Sequence, residues 1–329
     1  MNETRPSARV RTAADMASTL RIGLFADVQY ADKPDNPWRD EFGRARLSFF
    51  RGALSNLGDA LSQLASHSGP GALAFTIQLG DIVDGYKDDA ARGEQDLATV
   101  VAELRKYPLP RLFHVIGNHC RYVPLPVLKR ELGLEKGTYY SFTPEQHIEW
   151  RFIVLDASEV YPGAIDATSE DETQFQAACE RCQVPQIQRD ARNGAVTKQQ
   201  LEWLESEMCV AQKRNQTVLL FGHFPLYEHA SCTSHLLMNA SEVLAIMDRF
   251  EPHVLAYFCG HDHVGGYAVR NNVHHITLQG MLEAPVGTNA YAIASLHRTA
   301  DVLDSAAIDL RGFGTVPSRV LTKKRSELV

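Results

Sequence analysis

The sequence predicts a layered α/β sandwich, in which two β-sheets are flanked by helices. Three patterns support this prediction. Short apolar segments end at polar residues, amphipathic segments with helical spacing lie between them, and short alternating segments follow from Gly266 onward. The chain has 329 residues, of which 44% are hydrophobic, so it can bury one large core or two small ones.

Five predicted strands are each followed, directly or after one glycine, by a polar residue of the kind that binds metal ions. They cover residues 22–26, 73–79, 112–116, 218–221 and 254–259. Each is an apolar run typical of a buried strand in a parallel sheet. Because ligands in open α/β sheets bind beyond the carboxyl ends of the strands, we expect the residues that follow to converge on one edge of one sheet.

Helices are predicted between these strands. Residues 43–66 have six apolar side chains at helical spacing: Leu47, Phe50, Leu54, Leu57, Leu61 and Leu64. Further helices are predicted over residues 88–106, 197–213 and 239–250, the second with Thr197 as N-cap and Gln200 completing a capping box.

The remaining segments are less regular. Residues 30–40 and 121–149 are expected to be loops or irregular, and a strand over residues 150–155 ends at Asp156, which we expect to be structural. Four alternating segments follow Gly266 and predict an antiparallel sheet packed on the first: residues 266–270, 273–278, 291–296 and 301–310. We expect residues 1–20 to form a disordered tail, and residues 21–329 a single domain with an irregular insert at about residues 157–196.

Composition excludes several functions. The formal net charge of −7 gives no basic field for binding a nucleic acid. No apolar run reaches ~18 residues, so we expect no membrane span and no membrane partner. The six cysteines follow no disulfide or zinc-ribbon spacing, which favours a reducing, cytoplasmic compartment.

Seven polar side chains at the strand ends could bind metal ions: Asp27, Gln29, Asp81, Asn118, His223, His261 and His263. Carboxylate and amide oxygens together with imidazole nitrogens suit Mn²⁺, Fe or Zn²⁺. Asp81 follows a central strand and is our candidate for the ligand that bridges two ions.

The other six side chains divide between two metal positions. Asp27 and Gln29 would complete the first position with one of the two neighbouring histidines, and Asn118 and His223 the second position with the other. Two ions ~3.5–4 Å apart would clamp a phosphoryl group and lower the pKa of a water molecule between them.

Two further residues are candidates for proton transfer. His119 directly follows Asn118, and we expect it to face the leaving group. A catalytic histidine must be oriented, and Asp84 is the carboxylate that we expect to orient it.

Five blocks of the sequence resemble the motifs of the calcineurin-like metallophosphoesterases, in the same order, between about residues 21 and 264. They are Asp27-x-Gln29, Gly80-Asp81-x-x-Asp84, Gly117-Asn118-His119, Gly222-His223 and Gly260-His261-x-His263. The resemblance implies an α/β/β/α sandwich of two mixed sheets and a dinuclear metal centre.

Two positions depart from the family pattern. Gln29 stands where most members have histidine, and Cys120 where many have Glu or Asp; the amide oxygen of Gln29 should favour Mn²⁺ over Zn²⁺.

A narrower group is similar over nearly the whole chain after residue 20. Residues 25–32, 78–86, 193–204, 260–267 and 311–319 resemble the manganese-dependent ADP-ribose/CDP-alcohol diphosphatases. The resemblance implies two divalent metal ions, Mn²⁺ or alternatively Zn²⁺ or Fe, and a monomer that acts on a small nucleotide. ADP-ribose would give AMP and ribose 5-phosphate, and CDP-choline would give CMP and phosphocholine; CDP-ethanolamine and CDP-glycerol would be cleaved likewise.

Other functions remain open on the residues alone. A cyclic-nucleotide phosphodiesterase or a phosphoprotein phosphatase would share the metal motifs. A metal-free scaffold is the non-enzymatic alternative, against which seven competent ligand side chains argue. Residues 157–196 could line the substrate pocket. Four aromatic residues near the motifs could stack on a nucleobase or simply pack: Tyr30, Tyr86, Phe224 and Tyr227.

Overall fold

Two six-stranded sheets pack face to face in the computed structural model, which describes residues 19–40, 42–185, 189, 192–299 and 305–323. Aromatic rings join the sheets: the ring of Phe75 lies edge-on 4.9 Å from that of Phe152, and Phe113 stacks on Phe142 at 4.0 Å. Residues 1–18 of the predicted tail lie outside the described residues, and Leu20 already belongs to the first strand.

The first sheet is mixed. Its strands, in spatial order, are β14 (Arg319–Lys323), β13 (Ser305–Gly314), β12 (Ala290–Thr299), β1 (Leu20–Phe25), β4 (Phe75–Gln78) and β5 (Leu112–His114). β1, β4 and β5 are parallel, and the other three pair antiparallel.

The second sheet is also mixed. Its order is β10 (Gly266–Arg270), β11 (Val273–Thr277), β9 (Val254–Cys259), β8 (Thr217–Phe221), β7 (Trp150–Val154) and β6 (Tyr140–Phe142). The four central strands are parallel and both edge strands are antiparallel. Both faces are buried, since Phe152 packs in the core between the sheets while Ile153 packs against helices. This explains the continuous apolar runs in the sequence.

Two expectations about the sheets were wrong. The strands after Gly266 do not form a sheet of their own, because β10 and β11 extend the second sheet while β12 to β14 extend the first. Nor do the five ligand-bearing strands share one sheet: β1, β4 and β5 lie in the first, and β8 and β9 in the second. The layered sandwich of two mixed sheets is confirmed.

Six α-helices are described: α1 (Gly52–Ala65), α2 (Ala90–Leu104), α3 (Leu125–Leu132), α4 (Ser169–Arg181), α5 (Lys198–Lys213) and α6 (Ala240–Arg249). The helices α1 and α2 contribute to the core of the first sheet, and α5 and α6 cover the outer face of the second. In the part of the chain that the structure describes, no helix is long and apolar enough to cross a membrane.

The predicted start of α5 is confirmed in part. The Thr197 hydroxyl oxygen accepts a hydrogen bond from the Gln200 backbone N–H at 3.1 Å. The Gln200 side chain does not return to the N-cap, because it donates instead to the Asp156 carbonyl at 3.0 Å and to Glu159 at 2.6 Å. Glu159 accepts the Thr197 N–H in its place.

The helix predicted from residue 43 begins only at Gly52. Residues before it form a hairpin of β2 (Asn36–Arg39) and β3 (Ala45–Ser48). The Asp40 carboxylate accepts the backbone N–H groups of Phe42 and Arg44, which closes the turn. This local turn chemistry outweighs the helical spacing of the apolar residues.

The segment 157–196 is more regular than predicted because it contains α4. A capping box between Thr168 and Asp171 starts this helix. Only three of its residues are buried, Phe175, Ala178 and Cys179, so its apolar periodicity is weak. Residues 121–149 are likewise more regular than predicted, because they contain α3 and β6.

Candidate metal centre

The seven candidate ligands lie together at the carboxyl ends of strands from both sheets. From the first sheet, Asp27 and Gln29 follow β1, Asp81 follows β4 and Asn118 follows β5. From the second sheet, His223 follows β8, and His261 and His263 follow β9. Six are buried and His263 is partly buried.

Four of these residues have a left-handed backbone. The φ angles are 51° at Asp27, 41° at Gln29, 52° at Asp81 and 69° at His261. Among the described residues, the other non-glycine positions with positive φ are Gln183 and four asparagines. Asn, Asp and His adopt this region more often than other residues with a side chain, but any residue except glycine does so at a cost of roughly 1–3 kcal/mol. Backbone strain is therefore concentrated where the candidate ligands are.

Asp81 uses its two carboxylate oxygens differently. Oδ1 accepts the backbone N–H of His119 at 2.8 Å and that of Cys120 at 3.4 Å. Oδ2 lies 3.1 Å from Gln29 Nε2 and 3.1 Å from His223 Nε2. Burial alone would raise the pKa of Asp81, but His223 and His119 outweigh it and lower the pKa to about 2. One oxygen of Asp81 thus lies between the residues predicted for the first metal position and those predicted for the second. These two groups of residues are the two halves of the site.

The first half contains Asp27, Gln29 and His263. His263 Nε2 lies 3.2 Å from the Gln29 amide nitrogen and 3.6 Å from Asp27 Oδ1. His263 Nδ1 lies 2.8 Å from Glu283 Oε1, so this nitrogen can donate a hydrogen bond to the carboxylate. Burial opposes protonation, yet Glu283 and Asp27 raise the pKa of His263.

The second half contains Asn118, His223 and His261. His223 Nε2 is 3.2 Å from Asn118 Oδ1, and His223 Nδ1 is 2.9 Å from the Leu79 carbonyl oxygen. Ligand atoms of Asp81, His223 and His261 all lie within 4.8 Å of one another. His263 therefore lies with the first half and His261 with the second, which favours one of the two assignments that the spacing left open.

The chemistry of the donor set fits divalent cations. When His223 Nδ1 donates to the Leu79 carbonyl and His263 Nδ1 donates to Glu283, the Nε2 lone pair of each ring faces inward. There it meets acceptor oxygens of Asp81, Asn118 or Asp27, which have no proton to share. A cation satisfies all of these inward-facing atoms at once.

Two residues that orient the histidines were missed by the sequence reasoning. Asn193 is fully buried; its Oδ1 lies 2.9 Å from His261 Nε2, and its Nδ2 donates to the Ser234 carbonyl at 2.7 Å. Glu283 contacts His263 and also forms an ion pair with Arg46. Asn193 opens one of the segments that resemble the narrower family, which was the available signal. No motif marks Glu283.

His119 and Asp84 lie beside the second half. His119 Nδ1 is 3.0 Å from Asp84 Oδ1 and 3.0 Å from the Asp84 carbonyl oxygen. The other carboxylate oxygen of Asp84 forms an ion pair with Lys33. Burial would lower the pKa of His119, but Asp84 and Asp81 raise it to about 9. Cations in the site would oppose that increase.

A cavity of about 500 Å³ opens over the candidate ligands. The β2–β3 hairpin forms one wall with Trp38 and Arg39, and Arg192 and His235 contribute to another. The hairpin contribution was not predicted. That of Arg192 agrees with the expectation that residues 157–196 could line a pocket.

Several residues considered in the sequence have structural roles. Phe224 is fully buried, with its ring 4.5 Å from that of His261, so it packs and cannot stack on a ligand. Asp156 accepts hydrogen bonds from the Ser158 backbone and hydroxyl at 3.1 Å, which is structural as predicted.

Comparison with known proteins assigns the class. Residues 20–265 match the family model of the calcineurin-like phosphoesterases. A crystal structure of a dimetal phosphatase from Danio rerio is similar with a TM-score of 0.78 and 28% identity, and the match covers 93% of this chain and 99% of that one. The chain therefore belongs to the calcineurin-like phosphoesterases.

Curated relatives define a narrower family. A protein of Arabidopsis thaliana named manganese-dependent ADP-ribose/CDP-alcohol diphosphatase is 34% identical over 297 residues, which cover 84% of this chain and 90% of that protein. A protein of the same name from Oryza sativa is 35% identical over 299 residues, covering 85% and 88%. This chain is a member of the same family.

Substitutions of Asp81 and Asp84 should have different effects on metal content. Asp81→Asn weakens the oxygen between the two halves, so we expect loss of activity and of metal at both positions. The Asp84 carboxylate contacts His119 and Lys33, neither of which is a candidate metal ligand, so in Asp84→Asn the metal content should stay near normal while turnover falls. Metal analysis of protein purified without chelator, together with steady-state kinetics, checks this. Equal loss of metal in both variants would contradict the assignment.

Asn193→Ala should weaken metal binding although it replaces none of the candidate ligands. Removing a partner that orients a metal-binding histidine typically lowers metal affinity ~10–100-fold. Titration of the metal-free protein with Mn²⁺ measures the effect. Gln212→Ala is the control, because Gln212 is an exposed amide side chain on helix α5 and does not line the cavity over the candidate ligands. Unchanged Mn²⁺ affinity in Asn193→Ala would show that His261 needs no such partner.

Proposed function

We propose that this protein is a dinuclear-metal phosphohydrolase that cleaves the pyrophosphate bond of ADP-ribose and of CDP-alcohols. The products are a nucleoside monophosphate and a phosphorylated sugar or alcohol. The observation that carries the proposal is the position of Asp81 Oδ2, 3.1 Å from side chains of both halves of the site. The names of the relatives supply the substrate class.

Four side chains would hold each metal ion. Asp27, Gln29, Asp81 and His263 form the first set; Asp81, Asn118, His223 and His261 form the second. When bound, divalent ions supply charge that polarises a phosphoryl group and activates the attacking water. Because these side chains are buried, the surrounding protein fixes their orientation and keeps bulk water away from them.

Gln29 supports manganese as the metal. Its amide oxygen is a neutral, hard donor at a position where most superfamily members have imidazole. Oxygen donors suit Mn²⁺ better than the softer Zn²⁺. Turning the amide by 180° presents this oxygen to the same point, between Asp81 and His263, that its nitrogen now faces.

His119 is our candidate for the general acid. Asp84 accepts from His119 Nδ1, which fixes the ring and leaves Nε2 to face the cavity over the metal ligands. From there the ring can deliver a proton to the oxygen that departs from phosphorus. Lys33 holds the second oxygen of Asp84 and thereby fixes the carboxylate.

The shape of the site favours a small substrate. A cavity of about 500 Å³ is in the range of small-molecule sites, and Trp38 of the hairpin forms part of its wall. A phosphoprotein phosphatase would need an open groove.

The six cysteines, which follow no disulfide spacing, support a cytoplasmic location.

Product analysis tests the proposal. We expect ADP-ribose to give AMP and ribose 5-phosphate, and CDP-choline to give CMP and phosphocholine, only after Mn²⁺ is added to chelator-treated protein, with Mg²⁺ a poor substitute. Cyclic AMP and a phosphopeptide are the comparison substrates. Activity on either of these, with none on the diphosphates, would replace the proposed function. Full activity after exhaustive chelation would exclude the metal assignment.

His119→Ala should be most impaired where the leaving group is poor. General acid catalysis contributes ~10²–10⁴-fold, and we expect a loss of that order on ADP-ribose. A p-nitrophenyl phosphodiester has a leaving group that is stable as an anion, so the loss on it should be much smaller. Metal content is the control, since His119 is not a candidate ligand. Equal losses on both substrates would mean that His119 positions the phosphate instead.

A further inference from the structure

A second cavity of about 500 Å³ adjoins the one that contains the metal ligands. Asp84, His119 and Arg192 line both cavities and therefore form the boundary between them. None of the seven candidate metal ligands lines the second cavity. A molecule that spans the boundary would have one part on the metal centre and the other beyond His119.

The second cavity has a cationic wall made of Lys33, Lys87, Arg92 and Arg192. Aromatic rings support three of these groups. Lys33 Nζ lies 4.0 Å from the centre of the Phe50 ring, Lys87 Nζ lies 5.7 Å from that of Tyr122, and the Arg92 guanidinium lies 4.3 Å from that of Tyr86. A cation above an aromatic face is attracted by the negative face of the ring, which holds the side chain in place.

Carboxylates near the wall offset part of this charge. Three line the cavity: Asp84, Asp88 and Asp89. Asp84 is shared between His119 and Lys33. Asp89 caps helix α2 by accepting the Arg92 backbone N–H at 3.1 Å. Among the described side chains that line the cavity, four cations face three carboxylates, and from behind this wall Asp32 and Asp96 also act on Arg92. The cations are nonetheless clustered at the boundary, in a chain whose formal net charge is −7.

We infer that this cavity binds the phosphorylated leaving group of the substrate, through the anionic oxygens of its phosphoryl group. The inference rests on the proposed function. In hydrolysis of a diphosphate, water forms a new bond to one phosphorus and releases a proton, and the bond from that phosphorus to the bridging oxygen breaks. The bridging oxygen takes a proton from His119 and departs as a phosphate monoester, directly at the boundary with the cationic wall.

The cavity accordingly distinguishes diphosphates from phosphodiesters. A departing phosphate monoester carries negative charge, for which Lys and Arg are the natural partners. An uncharged leaving group gains nothing from these cations. Selectivity for the pyrophosphate bond is therefore located in the second cavity, while the metal centre performs the same chemistry on either kind of ester.

Lys87 offers the sharpest test, because it is exposed and contacts no candidate metal ligand. We expect Lys87→Gln to lower kcat/KM for ADP-ribose roughly tenfold at low ionic strength, and Lys87→Glu to lower it further. The p-nitrophenyl ester of thymidine 5′-monophosphate, whose leaving group has no phosphate, should lose less than about threefold. Lys136→Gln is the control, an exposed lysine that lines neither cavity.

Ribose 5-phosphate provides a second measurement. As an inhibitor of ADP-ribose hydrolysis it should bind roughly tenfold more weakly to Lys87→Glu than to the unaltered protein. Equal losses on both substrates, or unchanged kcat/KM and unchanged inhibition in the Lys87 variants, would overturn the inference while leaving the proposed function standing. Failure of the unaltered protein to cleave any diphosphate would overturn the proposed function, and this inference with it.

Discussion

The contact on which the site depends is the one between Asp81 and the turn that follows β5. Two backbone N–H groups of that turn, from His119 and Cys120, hold Oδ1. The turn can approach so closely only because residue 117 is glycine, since a Cβ there would lie 2.2 Å from Oδ1. With Oδ1 fixed, Oδ2 has one direction left, and it meets Gln29 on one side and His223 on the other. One carboxylate thus sets the relative position of both halves.

Two sheets are needed because one sheet would place its ligands in a row along its edge, about 4.8 Å apart. Packing the second sheet against the first brings His223 and the β9 histidines across from Asp27 and Asp81. A direct bond fixes this register, since His223 Nδ1 lies 2.9 Å from the Leu79 carbonyl oxygen at the end of β4. Gly80 has a φ of 103°, and a Cβ there would lie 2.2 Å from the same nitrogen. The ring can sit over the strand end only beside a glycine.

The sequence predicts those features that are local. Apolar runs located the strands, and the first polar residue after each run located a candidate ligand. Sheet membership depends on pairing between distant segments, so the assignment of β10 to β14 could not be read from periodicity. The β2–β3 hairpin was missed because Leu47 and Phe50 continue the spacing of α1. The orienting partners of His261 and His263 are far away in sequence, and neither Asn193 nor Glu283 belongs to a motif that specifies its neighbour.

Charge balance explains why a negatively charged protein can bind a negatively charged substrate. The seven candidate ligands include only two carboxylates, Asp27 and Asp81, and both lie where burial disfavours charge without a partner. Two divalent cations would bring four positive charges and leave an excess of two. The cationic wall beyond His119 adds four cationic side chains. A diphosphate supplies negative charge at both places, whereas a monoester or an uncharged leaving group would leave one of them unbalanced. In the proposed arrangement, local charge at the site, and not the net charge of the chain, determines which substrate is bound.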